Sequence, residues 1–179
     1  MKTDLSVYTV GDYDPGPRVK RVLWYLVNYG IFNSAVPFPS AMKCGLLRLF
    51  GCPVGKGVVI KPKVRIKYPW KLKMGDYCWL GEDVWIDNVA PVTISSQVVL
   101  SQGAVLLTGN HNYKLSHFPL VTGTILLEDG VWIAANAIVC PGVTCRSHSV
   151  LAVASVATKE LAAYKVYAGN PAVEKGNRI

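Results

Sequence analysis

The segment Thr108-Gly-Asn-His-Asn-Tyr-Lys114 sets one of three histidines, His111, between two asparagines. Histidine is the side chain whose unperturbed protonation change lies near neutral pH, so it suits proton abstraction from a hydroxyl. Asn110, Asn112 and Tyr113 beside it carry hydrogen-bonding groups able to hold a polar acceptor. His117, in the same segment, is the rival base. His148, in Cys145-Arg-Ser-His-Ser-Val150, falls at a turn position of a regular repeat and reads as structural. Asp87 and Asn88, in Val84-Trp-Ile-Asp-Asn88, have side chains that cap a corner, and they are also candidates for holding the acceptor.

These residues sit in a repeat that must position them. From Val54, aliphatic residues recur at Ile60 and Ile66, at Met74, Leu80 and Ile86, and at Ile94, Leu100 and Leu106. The phase slips by two at every third step, so the larger period runs from Val54 to Met74 to Ile94. The pattern resumes at Leu127 and keeps a strict six through Ile133, Val139, Cys145, Leu151 and Ala157. A second, mostly small residue follows four positions after most of them, as at Val58, Val64, Ala104, Ala137 and Ser155. Neither helical spacing nor simple alternation fits. A solenoid does, in which each six-residue unit is a short strand and a turn. Glycine and proline at Gly55, Gly57, Pro62, Gly75, Gly81, Pro141 and Gly142 mark its corners. The earlier period places the next coil at position 114, so a long loop over 108–126 is inserted, and such loops on rigid scaffolds are usually functional.

The remaining composition narrows the class. Of 19 Lys and Arg, 13 lie within residues 1–73 against three acids, so this part is a solvated basic face or faces an anionic partner. No nucleic-acid recognition motif accompanies it, and none is expected to bind. The five cysteines form no Cys-x-x-Cys pair, which argues against disulfides and a zinc site, and they read as buried small hydrophobes. Met1 to Gly16 lacks the apolar run of a signal peptide and Val22–Val27 is too short to span a bilayer, so cytoplasmic residence is the expectation.

The units resemble the hexapeptide repeat of the left-handed parallel β-helix acyltransferases, over residues 54–172. The resemblance implies an all-β, left-handed parallel β-helix with a short helical N-terminal segment. Thr108-Gly-Asn-His111 is similar to the Thr-Gly-x-His of sugar O-acetyltransferases of the galactoside, maltose and nodulation type, in which the histidine is the general base. An acidic residue at the place of Asp87 there helps hold the acceptor sugar. Val131-Trp-Ile-Ala-Ala-Asn-Ala-Ile-Val-Cys-Pro-Gly-Val143 resembles the segment that lines the pantetheine arm of acetyl-coenzyme A. This implies that Trp132, Ala134 and Ala135 line that groove, with Ala134 where glycine is common. Ala154-Ser-Val-Ala-Thr-Lys-Glu160 resembles the stretch at the nucleotide end, so Ala154, Thr158 and Lys159 are assigned there, with Arg178 and Lys175 as further phosphate contacts. Tyr167-Ala-Gly-Asn-Pro-Ala172 matches the motif that ends the solenoid. The combination most resembles the colanic acid biosynthesis type, which implies a homotrimer acetylating a sugar hydroxyl of a surface polysaccharide or its precursor, without a metal. Amino-sugar N-acetylation is the alternative. A γ-type carbonic anhydrase requires three imidazoles on one zinc, and the histidine spacing does not reproduce that set.

Residues 1–53 lie outside the repeat. Pro17–Asn28 and Met42–Phe50 show helical spacing of apolar residues, giving two short helices that cap the first coil. A peripheral membrane contact through Arg18, Lys20, Arg21, Lys43 and Arg48 is the functional alternative. Residues 173–179 read as a C-terminal tail.

Overall fold

The computed structural model describes residues 2–11 and 13–179. From Val54 the chain winds as a parallel β-solenoid of about five coils with three faces. One face stacks Val59–Ile60, Trp79–Leu80, Val99–Leu100, Trp132–Ile133, Val150–Leu151 and Lys165–Gly169. The second stacks Arg65–Ile66, Trp85–Asp87, Val105–Leu107, Ile138–Val139 and Val156–Ala157. The third holds Leu72–Met74, Val92–Ile94, Ile125–Leu127 and Thr144–Cys145. The register follows the repeat: Ile60 pairs with Leu80 and Leu80 with Leu100, while Ile94 pairs with Leu127 across the interruption. Every inward aliphatic residue from Ile60 to Ala157 in this series is at most 2% exposed. Each such Leu or Ile contributes about 1.5–3 kcal/mol by burial.

The corners differ from the glycine reading. Positive φ occurs at Gly57 and Gly142, yet also at Lys63, Tyr77, Asp83, Gln97, Asn136, His148 and Ala154. A non-glycine residue costs about 1–2 kcal/mol there. Backbone bonds to the coil below offset it, as in Tyr77 N–H to Lys56 O at 2.7 Å and His148 N–H to Asp129 O at 2.8 Å. Gly75 and Gly81 answer a different need. A Cβ on Gly75 would stand 2.8 Å from Ser96 N, and one on Gly81 2.9 Å from Gln102 N, so the next coil excludes it.

The first coil has no coil beneath it, and side chains from helices α1 (Arg18–Val27) and α2 (Ser40–Leu49) replace the missing ladder. Trp24 Nε1 donates to Ile66 O at 2.8 Å, and Asn28 Oδ1 accepts from Ile66 N–H. Ser40 Oγ accepts from Ile60 N–H, while the Lys43 ammonium donates to Ile60 O and Lys61 O. Arg48 donates to the carbonyls of Val54 and Gly55. Lys43 is fully buried, and burial pulls its ammonium below the ordinary lysine pKa. Two of the five cations read as facing a membrane are therefore spent on the solenoid edge. No helix among the described residues is long and apolar enough to cross a membrane.

The segment read as a tail carries the last strand, Ala172–Asn177, antiparallel to Lys165–Gly169. Cys44, Cys52, Cys78 and Cys145 are buried and all five cysteines are free. Burial pushes the Cys52 and Cys145 thiols up to about 12, so they stay protonated.

Candidate active site

The inserted loop is a hairpin. Strands Gly109–His111 and Leu120–Thr122 run antiparallel, with His111 opposite Leu120 and Gly109 opposite Thr122. Thr108 fastens its root. The buried Oγ1 donates to Asp87 O and accepts from Ala90 N–H, both at 2.9 Å, and Gly123 N–H donates to Thr108 O at 2.9 Å. Gly109 is confined by Val89, whose Cγ2 would lie 2.9 Å from an added Cβ. At the tip, Asn112 Oδ1 accepts from Lys114 N–H at 3.0 Å and Tyr113 is 76% exposed. Asn110 is exposed and its Oδ1 accepts from His111 N–H at 2.8 Å.

This hairpin fixes the imidazole. His111 Nδ1 lies 3.0 Å from Phe118 O. A carbonyl can only accept, so in the neutral ring Nδ1 carries the proton and Nε2 keeps its lone pair. The ring stacks on Phe118 at 4.5 Å and 8°, and the Tyr8 ring stands 5.9 Å away. The N-terminal strand of chain reaches the hairpin through Asp4 N–H to Ser116 O at 2.8 Å. Sequence reading missed Phe118 and Tyr8, because nothing in the repeat links an N-terminal residue to the loop.

Asp87 ends its strand opposite Leu107, and its carbonyl holds Thr108, three residues before His111. Its carboxylate pairs with Lys67 at 2.8 Å. Asn88 is fully buried, and its amide bonds both Tyr68 N–H and Tyr68 O, so its side chain caps a corner and is withdrawn from the surface. His117 sits half-buried near the tip. His148 occupies a corner at φ +58°, stacked on Tyr164 at 4.9 Å. Among the described residues no group of three His, Cys, Asp or Glu is placed to hold a metal.

A second group gathers on the first face. A groove of about 500 Å³ is bordered by Ser101, Trp132, Ala134, Ala135 and Ala152. Trp132 Nε1 donates to Ser101 Oγ at 3.0 Å, which holds the indole along the groove. Ala154 lies at the adjoining corner, its N–H bonded to Ala135 O at 2.9 Å. Thr158 and Lys159 are exposed after the Val156–Ala157 strand, and Lys175 is exposed on the last strand. Arg178 is otherwise engaged, its Nη1 donating to Gly130 O at 2.7 Å and His148 O at 3.3 Å. The hairpin and the groove share no lining residue on one chain.

No family model matches the chain. The chain is 38% identical over 177 residues to WcaF of Escherichia coli (strain K12), which bears the provisional name colanic acid biosynthesis acetyltransferase, covering 98% of this chain and 97% of that protein. It is 25% identical over 148 residues to the galactoside O-acetyltransferase of Escherichia coli (strain K12), covering 78% and 70% respectively. The crystal structure of a hexapeptide-repeat acetyltransferase from Vibrio cholerae O1 biovar eltor, complexed with acetyl-coenzyme A, superposes with a TM-score of 0.83 at 22% identity, covering 97% of each chain. A galactoside acetyltransferase in complex with coenzyme A superposes with a TM-score of 0.82 at 24% identity, covering 94% of this chain and 85% of that one. With its six-residue repeat, three-faced parallel prism and 38% identity over nearly its full length to a relative so named, the chain belongs to the hexapeptide-repeat acetyltransferases, in the group of the colanic acid biosynthesis type.

Proposed function

We propose that the protein transfers the acetyl group of acetyl-coenzyme A directly to a sugar hydroxyl during assembly of a bacterial surface polysaccharide, with His111 as general base. The observation that carries this reading is the bond between His111 Nδ1 and Phe118 O. It fixes the tautomer whose Nε2 accepts a hydroxyl proton and later returns it to the departing thiolate. The coenzyme supplies an acyl carbon already activated as a thioester. Asp87, Asn110, Asn112 and Tyr113 surround the base along the hairpin and its root, and serve to hold the acceptor. Trp132, Ala134 and Ala135 suit an extended amide arm, since small side chains let it approach backbone groups. Thr158 and Lys159 are free to meet the nucleotide end, and Ala154 borders that path.

The groove lining contains no hairpin residue on one chain, which supports a complete site built between subunits of a homotrimer in the cytoplasm, where the coenzyme is found. The test is thiol release from acetyl-coenzyme A with a panel of hydroxyl and amino sugars, combined with light scattering. An alkali-labile ester product and a mass of three chains are expected. An alkali-stable amide would assign the amino-sugar alternative, and a monomer would remove the shared site.

A further inference from the structure

A second concave region adjoins Asp87 and contains no residue of the hairpin in its lining. Two adjoining grooves, of about 460 and 430 Å³, run between α1 and the second face, and both are bordered by Tyr25, Asn28 and Lys67. Their charged borders are Arg18, Arg21, Arg65 and Lys67 against a single carboxylate, Asp87. That carboxylate is already paired with Lys67 at 2.8 Å, which leaves three guanidinium groups uncompensated by any acid of the lining. Arg21 Nε is buried with no hydrogen-bond partner among the described residues. A buried donor left unmade costs about 1–3 kcal/mol, more when it belongs to a charged group, and no acceptor of the described residues offsets that cost at the groove border. Arg18 and Arg21 also crowd the first turn of α1, which contains no acidic residue, although the helix dipole disfavours cations there.

The remaining borders are flat rings. Arg65 lies over Trp85 at 5.1 Å from the ring centroid, and Tyr25 and Tyr29 stand nearly parallel at 6.5 Å. Guanidinium forks match phosphate oxygens two at a time, and aromatic faces suit a sugar ring or a base. Asp87 borders the second groove and its carbonyl anchors the root of the hairpin that carries His111. Asp87 thus belongs both to the groove lining and to the root of the hairpin, which links the two regions through one residue.

We infer that this groove is a diphosphate subsite for the acceptor: the sugar reaches the acetylation site as a glycosyl diphosphate, gripped by Arg18, Arg21 and Arg65. The inference rests on the acetyl-transfer reading for its purpose and on the groove alone for its chemistry. The glycosyl diphosphate comes either as a soluble nucleoside diphosphate sugar or as a polyprenyl-linked one.

Inorganic pyrophosphate titrated calorimetrically into the full chain tests it without any turnover. Saturable binding that weakens with salt is expected, and Arg21→Gln or Arg65→Gln should weaken it tenfold or more while thermal unfolding confirms that each variant is folded. Absence of binding, or binding indifferent to both substitutions, overturns the subsite. Competition against pyrophosphate by a nucleoside diphosphate or by a short-chain polyprenyl diphosphate supports it and identifies the source, whereas competition by neither overturns the assignment. Where acetyl transfer is measurable, Arg21→Gln should raise KM for a diphosphate-bearing sugar about tenfold with little change in kcat, and leave KM for the free sugar unchanged. If no acetyl transfer is found at all, the pyrophosphate titration still decides the subsite by itself.

Discussion

His148 and His111 show what a break in the repeat achieves. His148 sits in a regular coil, its backbone N–H bonded to the coil below and its ring spread over Gly130 and Tyr164. It is part of the stacking. His111 sits where the period fails, on a two-stranded sheet that pairs only with itself, and its ring is held by one carbonyl and two aromatic neighbours. Within the coils the strand backbone and the inward side chains are consumed by stacking, while outward side chains such as Trp132 and Lys159 stay exposed. The candidate base, in contrast to the groove residues, is carried by a segment that leaves the stack.

The contrast can be broken most severely by removing the hairpin. Gly109 and Thr122 face each other in register, so replacing residues 110–121 with Asn-Gly gives a two-residue turn of the favoured kind. Acetyl transfer should vanish while the unfolding temperature moves by only a few degrees. A large loss of stability would show that the coils depend on the hairpin. The next effect falls at the opposite extreme, where the stack ends. Lys43→Met leaves Ile60 O and Lys61 O without their charged donor and should cost about 2–3 kcal/mol in denaturant unfolding. At a corner, Gly130→Ala places a methyl at φ +69° against the His148 ring, and should cost about 1–2 kcal/mol for the backbone with a further loss because the ring must shift to admit it. Adding His148→Ala should recover part of that loss by freeing the space above the new methyl, and no recovery would refute the role given to the ring.

The sequence was legible where residues repeat. Ile60, Leu80, Leu100 and their successors announce the core because each coil presents the same inward position, and the skipped register between Leu106 and Leu127 marks the hairpin. His111 stood out for the same reason. The cap was read as two helices, but its chemistry was hidden, since Lys43 and Arg48 look like surface cations until the open edge of the first coil is seen to need donors. The corners also escaped, because hydrogen bonds between coils hold Tyr77, Gln97 and His148 in a backbone region usually left to glycine. The contact of Tyr8 with His111 depends on how a distant segment folds over the hairpin, and that of Phe118 on how the hairpin tip curls back, and the six-residue pattern encodes neither.

The central claim is that the free nitrogen of His111 removes the proton from the acceptor. Its most direct measurement is kcat for His111→Ala beside His117→Ala and His148→Ala, with coenzyme A binding determined for each. The account predicts a fall of about a hundredfold or more for His111→Ala alone, with coenzyme binding within about twofold of the parent. Turnover by His111→Ala within about threefold of the parent protein, or an equal loss in His117→Ala, would contradict it.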